Sequence, residues 1–573
     1  MKLLSGMDSL FLHMEQGNQY MHVAGLGIYD PSTAPGGKVR FKQILDFFAR
    51  RLDSAKVFRR RLVVAPLGLD RPYWIDEGDI DTEYHVRHTA LPQPGDWRQL
   101  MIQVARIHSR PLDRSRPLWE AYVIEGLDHI PGIAKGSFAL YVKFHHAGVD
   151  GEAGAEIIKA IHSLSAEFSE EPSPVGRTRF VDREPSAVEL CSRAVGNRTQ
   201  QLFDGVRLAA SLGGRAALAG KDIVASGKAL AIAQKLIAKR FGGSAGAGSW
   251  KTPGDMAGRK PQTRFDHPVS PHRVVDAVGF SLAECKTIRE HIDDITINDI
   301  FMAATGGAIR KYLERKGELP ARTLNAMVPM STRGTDKEMD SGNQIGMAPM
   351  ALRTDIADPV ERVLAIRRGT SKTKAATSAL GKDLVARLVH VIPAVAAEQL
   401  VRLGIVAMCN VTVSNVRGPD VPLYMAGAQL ELFLAVSIAF DGIGLNVTGF
   451  SYNGTLWVCF VACRDMLPDP EEFCDCLKES FADLLAAANA RGRRSVKLEA
   501  RRTVADKPEP TAARRPRAIG KTVVEVTASA VPRARQKPAS TVSSGHESGA
   551  APSEPASPVK RTRASKAAIT AKE

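Results

Sequence analysis

Apolar and polar positions along the chain switch repeatedly between a helical and a strand period. From residue 3 to about 167 the two patterns alternate. Helical spacing predicts a helix over 41–52, and period-two runs predict strands over 120–125 and 138–145. In the second strand Leu140, Val142 and Phe144 fall on one face. A helix is predicted over 152–168, with Ile157, Ile158, Ile161 and Leu164 as its apolar side.

A different texture runs from 169 to 273. It opens with the loop-type string SEEPSPVG and turns Ala-rich and basic over 202–241. Apolar residues recur there at Leu202, Val206, Ala209 and Leu212, then at Ile223, Leu230, Ile237 and Phe241. Gly213-Gly214 and Gly227 are expected to interrupt this helical segment, and the string FGGSAGAGS closes it as a linker. A second alternation follows. Helices are predicted over 296–313, with Thr296 or Asn298 as the cap, over 358–371 and over 469–488. Strands are predicted over 323–329, 411–414, 433–439, 444–452 and 455–462.

Length adds a domain count. A chain of 573 residues exceeds one ordinary core, and 44% hydrophobic residues suffice to fill more than one. The expected organisation is a first αβ half at 1–168, a basic helical linker at 169–273, a second αβ half at 274–490 and a tail at 491–573. The tail carries 19 Lys/Arg against 7 Asp/Glu, most of the net charge of +15, and lacks periodicity. It is expected to be disordered. The remaining chain is close to neutral, which argues against a protein built as a whole to bind nucleic acid.

Seven cysteines lie at 191, 285, 409, 459, 463, 474 and 476, an odd number at loose spacing. They read as buried thiols in a reducing compartment rather than as a disulfide framework or a metal site. Lys2 opens the chain like a signal peptide, but Asp8, His13 and Glu15 interrupt the apolar run behind it. The most apolar region, 384–408, is broken by Arg387, His390, Glu398 and Arg402, so the expectation is a soluble or peripheral protein.

The candidate chemistry sits in HHAGVDG, residues 145–151, between a predicted strand and a predicted helix. A scaffold presents side chains well at such a junction. An imidazole titrates near neutrality, so it can take a proton from an alcohol and return it to a thiolate. No serine or cysteine nucleophile with a matching base is evident. The plain alternatives stay open for the string alone. Either histidine could be a core residue or half of a metal site, Asp150 a helix cap, and Gly148 and Gly151 turn residues.

Several further strings accompany this one. They are LSGMDSLFLHMEQGNQYMHV at the start, RPLDRSRPLWEAYVIEGL, TINDIFMAA, VPMSTR, SGNQIG, DPVERVLAIR, SNVRGPDVPLYMAGA and LNVTGFSYNGTLW. Together, in this order over about residues 3–488, they resemble the bacterial wax ester synthase/diacylglycerol acyltransferase family. That family lies within the HHxxxDG superfamily of CoA-dependent acyltransferases, with chloramphenicol acetyltransferase and the condensation domains. Two departures stand out: Arg417 in SNVRGP where the family often has proline, and Asp266 where asparagine is common.

The resemblance implies an α/β fold of the α+β type, two chloramphenicol-acetyltransferase-like sheet-and-helix domains with the active-site tunnel between them. It implies an acyl-CoA-dependent O-acyltransferase that makes triacylglycerol from diacylglycerol, wax ester from a long-chain alcohol, or both, without cofactor or metal. His146 would be the general base, His145 a supporting residue and Asp150 a structural support of the motif. Gly151, Trp119, Asn298, Asp299, Ser414 and Asn415 are candidate substrate-binding positions. Trp119 reads better as core or tunnel wall, and Asn298 and Asp299 suit capping of a helix start. Ser331 and Thr332 join Ser414 and Asn415 as strand-end groups that could orient the oxyanion. The implied setting is cytoplasmic, peripheral to the inner face of a membrane or to lipid droplets, with acyl-CoA and the acceptor as partners and no specific nucleic acid. The competing readings are a condensation-type transferase with a carrier-bound donor and a non-catalytic lipid-surface protein.

Overall fold

The computed structural model describes residues 1–149, 151–167, 181–218, 260–331, 345–380, 384–392 and 394–505. The first half contributes helix α1 (Gly6–Met14), strands β1 (His22–Asp30) and β2 (Val86–Ala90), helix α2 (Trp97–His108), strands β3 (Trp119–Glu125) and β4 (Phe138–His145), and helix α3 (Gly151–Ala160). Helix α4 (Ala187–Leu218) follows. The second half contributes β5 (Arg273–Ser281), α5 (Ile297–Arg315), β6 (Asn325–Ser331), β7 (Ile345–Ala351), β8 (Val411–Arg417), β9 (Tyr424–Met425), β10 (Ala428–Val436), β11 (Leu445–Tyr452), β12 (Thr455–Cys463) and α6 (Pro470–Ala505).

Strand β4 has the predicted limits and is buried along its whole length. Its two faces serve two cores. Leu140, Val142 and Phe144 pack with Phe48, Phe58, Trp119 and Ile157, whereas Ala139 and Tyr141 pack with Leu100, Val104 and Ile124. A strand covered on both sides needs apolar residues at consecutive positions, and only its polar members then call for special partners. Those members, Lys143 and His145, lead directly to the site.

The first mixed sheet has the order β9-β10-β1-β4-β3-β2. Its first two strands come from residues 424–436, deep in the second half of the chain. Antiparallel pairing puts Ala435 opposite Gly25 and Val436 opposite Ala24. Gly25 makes this possible, since a Cβ there would run into the Phe433 ring. The second sheet has the order β7-β6-β8-β11-β12-β5, with β8 parallel to both β6 and β11. Helices α5 and α6 cover it. Helix α5 begins at a capping box: Thr296 Oγ1 accepts from the Asp299 N–H at 3.2 Å and Asp299 Oδ2 accepts from the Thr296 N–H at 2.9 Å. Thr296 is therefore the cap and Asn298 is not.

Strand β10 begins at Ala428 and ends at Val436 where 433–439 was expected, β6 and β8 run to Ser331 and Arg417, and four helix limits differ as well. Helix α3 ends at Ala160, because Ser163 forms a bridge to Tyr424, and Leu164 is left exposed. Helix α4 begins at Ala187 and runs through Gly213-Gly214 without a break. Two glycines cost ~1 kcal/mol each, which a long run of Ala, Leu, Arg and Gln can carry. Residues 359–380 form one helix, longer than predicted. Helix α6 continues to Ala505, past the expected end of order near 491, because NARGRRSVKLEARRTVA consists largely of good helix formers. The rest of the basic segment beyond 218 and of the tail beyond 505 lies outside the described residues. Among the described residues no helix is long and apolar enough to cross a membrane.

Candidate active site

Strand β4 stops at His145, and backbone bonds fix the turn that follows. The His145 N–H donates to Leu118 O at 3.0 Å, the His146 N–H to Met21 O at 2.7 Å, and the Gly148 N–H to His145 O at 3.0 Å. The His146 ring lies flat on Phe11 of α1, with centroids 4.2 Å apart and planes 6° from parallel. The imidazole is thus held by its backbone on one side and by a ring on the other. Asp150 lies outside the described residues, and Gly151 opens α3.

His145 points to the other face of the strand and is fully buried. The Ala147 N–H donates to its Nδ1 at 3.0 Å. The ring proton therefore sits on Nε2, which faces Glu15 Oε2 at 3.0 Å. Glu15 is a hub. Its Oε2 also accepts from the Met21 N–H at 2.9 Å and lies 3.3 Å from His22 Nε2, while Arg114 donates to Oε1 at 3.2 Å. Burial works to raise the Glu15 carboxyl, but the two imidazoles hold it well below the usual carboxylate range. Burial pushes His22 down to about 4 against the pull of Glu15. Below them Lys143 donates to Ile107 O and Arg110 O, and burial lowers its ammonium to about 8 despite Glu120. Sequence reasoning did not single out Glu15, His22 or Lys143 as site residues. Glu15 and His22 lie inside the opening string, which is the one signal that pointed toward them.

His146 faces a cavity of about 460 Å³. Its walls are Val23, Gly25 and Gly27 of β1, Val142 and Phe144 of β4, Ile157 of α3, Ala435 of β10 and Phe450 of β11. Polar groups enter it from Thr412, Ser414, Asn415, Arg417, Ser437 and Thr448. Asn415 Nδ2 donates to Asn298 Oδ1 at 3.3 Å, so two of the candidate elements meet at this wall. Asp299 turns away into its capping box and is fully buried. Trp119 is also fully buried, between Phe48, Phe58 and His85, and its Nε1 donates to Phe58 O at 3.0 Å. It belongs to the core beneath the site and does not line the cavity. Ser331 ends β6; its side chain and Thr332 lie outside the described residues.

The two departures from the family pattern are accounted for locally. Arg417 is exposed at the cavity rim and pairs with Asp420 at 2.9 Å. Asp266 caps a short turn through the Thr263 N–H at 2.7 Å and meets Lys260 at 2.7 Å.

Burial pushes Cys285 and Cys409 up to about 12 and Cys476 to about 11, so each stays protonated at neutral pH. Among the described residues no group of three or more His, Cys, Asp or Glu is arranged to hold a metal ion. What the arrangement offers is a fixed imidazole at the edge of a mostly apolar, chain-sized cavity with polar groups in its lining.

Comparison with known proteins gives the family. Residues 4–301 match the wax ester synthase/diacylglycerol acyltransferase catalytic domain, and residues 341–485 match the C-terminal domain of the same family. A Mycobacterium tuberculosis protein named as a diacylglycerol O-acyltransferase is 32% identical over 499 residues, covering 85% of this chain and 100% of its own. The O-acyltransferase WSD of Acinetobacter baylyi is 31% identical over 493 residues, 84% of this chain and 96% of its own. The solved wax ester synthase/diacylglycerol acyltransferase of Marinobacter aquaeolei VT8 superposes with a TM-score of 0.57 at 27% identity, over 85% of this chain and 100% of that one.

Proposed function

The chain belongs to the wax ester synthase/diacylglycerol acyltransferase family, and from that premise we propose how the cavity beside His146 transfers an acyl group. The enzyme is an acyl-CoA-dependent O-acyltransferase. The acceptor is diacylglycerol or a long-chain alcohol, and the product triacylglycerol or wax ester. The observation that carries this reading is the His146 ring, held on Phe11 at the wall of a cavity whose lining is mostly apolar.

His146 takes the proton from the acceptor hydroxyl as its oxygen attacks the thioester carbonyl. The C–S bond then breaks, and the imidazolium returns the proton to the departing thiolate. Ser414 and Asn415 face the cavity from β8, where a developing oxyanion needs donors. His145 and Glu15 act behind the base by fixing the turn, and Asp150 is assigned the same supporting task. The reaction needs no resident cofactor, since acyl-CoA is consumed as a substrate.

Contact with a lipid surface has a structural basis in α4. Its buried side carries Leu190 and Ala194, while Val188, Val195, Leu202 and Val206 form an apolar stripe on the opposite, exposed side. Arg198 and Arg207 lie on either side of the stripe, as suits anionic headgroups. This supports a peripheral enzyme of the cytoplasmic membrane face or of lipid droplets.

Purified protein incubated with labelled palmitoyl-CoA and either dioleoylglycerol or hexadecanol tests the reading. His146→Ala is expected to lower kcat by about 10²–10⁴-fold with an unchanged fold. Full activity in that variant would remove His146 from the mechanism.

A further inference from the structure

A second cavity, of about 610 Å³, opens between α2 and β5, on the opposite face of β4 from the apolar one. Its character is reversed. Arg98, Arg106, Arg110, His272, Arg273 and Arg464 contribute to its lining. Two carboxylates, Glu471 and Asp276, also reach it, but both are engaged: Glu471 pairs with Arg98, and Asp276 accepts from Trp97 Nε1 at 2.7 Å. Arg273 is engaged too, donating to the backbone carbonyls of Asn18, Ser270 and His272. That leaves the exposed side chains of Arg106, Arg110 and Arg464 with no ion pair among the described residues. Three unneutralised guanidinium groups around one concavity form an anion site, and guanidinium matches phosphate oxygens in a two-pronged fit.

The cleft is tied to the catalytic turn from two directions. Arg273 holds the Asn18 carbonyl, in the loop whose Met21 carbonyl fixes the His146 N–H. Arg110 O accepts from Lys143, which lies three residues before His146 on β4, a distance of about 10 Å along an extended strand. His108, the last residue of α2, accompanies Arg106 and Arg110, and its Nε2 meets the carbonyl of Ser437, a residue that lines the apolar cavity.

A CoA thioester has this same polarity, phosphates at one end and an acyl chain at the other, joined by a pantetheine arm. We propose that the cleft between α2 and β5 seats the phosphate-bearing nucleotide of the acyl-CoA donor, with Arg106, Arg110 and Arg464 as its ligands. The donor then approaches from the basic side and the acyl chain lies in the apolar cavity. This rests on the acyl-CoA reading above and assigns the donor to a place.

The test compares donors with and without phosphates and adds a binding arm that needs no turnover. Arg106→Glu/Arg110→Glu is expected to raise KM for palmitoyl-CoA about tenfold or more, as loss of charge-assisted contacts does. KM for palmitoyl-pantetheine, which has the same thioester and no phosphate, should shift less than twofold. Adenosine 3′,5′-bisphosphate, titrated calorimetrically, should bind the unaltered protein and lose at least tenfold in affinity for the double variant. Equal shifts with both donors would overturn the assignment, as would equal bisphosphate binding by the two proteins. The second comparison decides the matter even if the chain transfers no acyl group from CoA, an outcome that would fail the parent reading separately.

Discussion

Oε2 of Glu15 stands 3.0 Å from Nε2 of His145, and 2.9 Å from the backbone nitrogen of Met21, whose own carbonyl holds the next histidine in place. One carboxylate just past the first helix thereby sets both the ring before the proposed base and the loop behind it.

Glu15→Gln keeps the volume and removes the charge. A buried, charge-assisted contact contributes about 1.5–3 kcal/mol, so the variant should melt lower by an amount of that order. Its kcat should fall about tenfold or more while KM for the acyl donor stays within twofold, because the base is misplaced and the donor contacts are untouched. Steady-state kinetics with a melting curve checks this; a variant with normal kcat shows that Glu15 does not position the turn.

Acid stability should report two buried histidines. Burial lowers His22 and His162 to about 4 each. Burial keeps His162 neutral against the pull of the Ile158 carbonyl, 2.6 Å from Nδ1, while Tyr29 OH lies 2.8 Å from Nε2. Between pH 6.5 and 4 the unfolded chain binds protons that the folded chain refuses, so stability is fully present above that window and is lost as pH falls through it. Each ring contributes on the order of 3 kcal/mol. Melting temperature measured from pH 7 to pH 4 should fall, and more shallowly in His162→Gln; a flat profile contradicts the burial argument.

Chain length should respond to Ala435, which faces the apolar cavity from β10 opposite Gly25. Ala435→Phe puts a ring into the open space. Turnover of C16 donors is expected to drop about tenfold in kcat/KM, while C4 and C6 donors change less than twofold. A series over donor length reads this directly, and a uniform loss at every length would show that the cavity does not hold the chain.

Lipid contact should depend on the outward stripe of α4. Val195 and Leu202 are 70% and 73% exposed. Each is worth about 1.5–3 kcal/mol when fully buried. Val195→Asp/Leu202→Asp should therefore lower co-sedimentation with phosphatidylserine-containing vesicles at least tenfold, with turnover of a water-soluble short-chain alcohol within twofold. Equal sedimentation of the two proteins assigns membrane contact to another surface.

Local order was legible where the chemistry is local. The strand at 138–145, the helix starting after Thr296 and the turn carrying His145 and His146 follow from periodicity and capping that the sequence displays within a few residues. Glu15 was opaque as a site residue because its partners lie seven residues ahead in His22 and far ahead in His145. A lone glutamate after an amphipathic helix carries no mark of what it will meet. The basic cleft was opaque for the same reason, since Arg106 and Arg110 share a helix end but Arg464 belongs to the other half of the chain. The placement of β10 beside β1 had no signature at all: a period-two pattern says that a strand is covered, not which strand covers it.

That placement governs how the protein can be made. The sheet bearing His145 at the end of β4 has β1 as an open edge until β10 arrives to pair Ala435 with Gly25. A ribosome delivers the first four strands of that sheet long before the last two, at roughly 5–20 residues per second. Through that interval the nascent chain displays an unpaired, apolar strand next to the segment destined for catalysis. Completion of the enzyme therefore waits on its own far end, and the demand on chaperones should scale with translation time rather than with the size of either half.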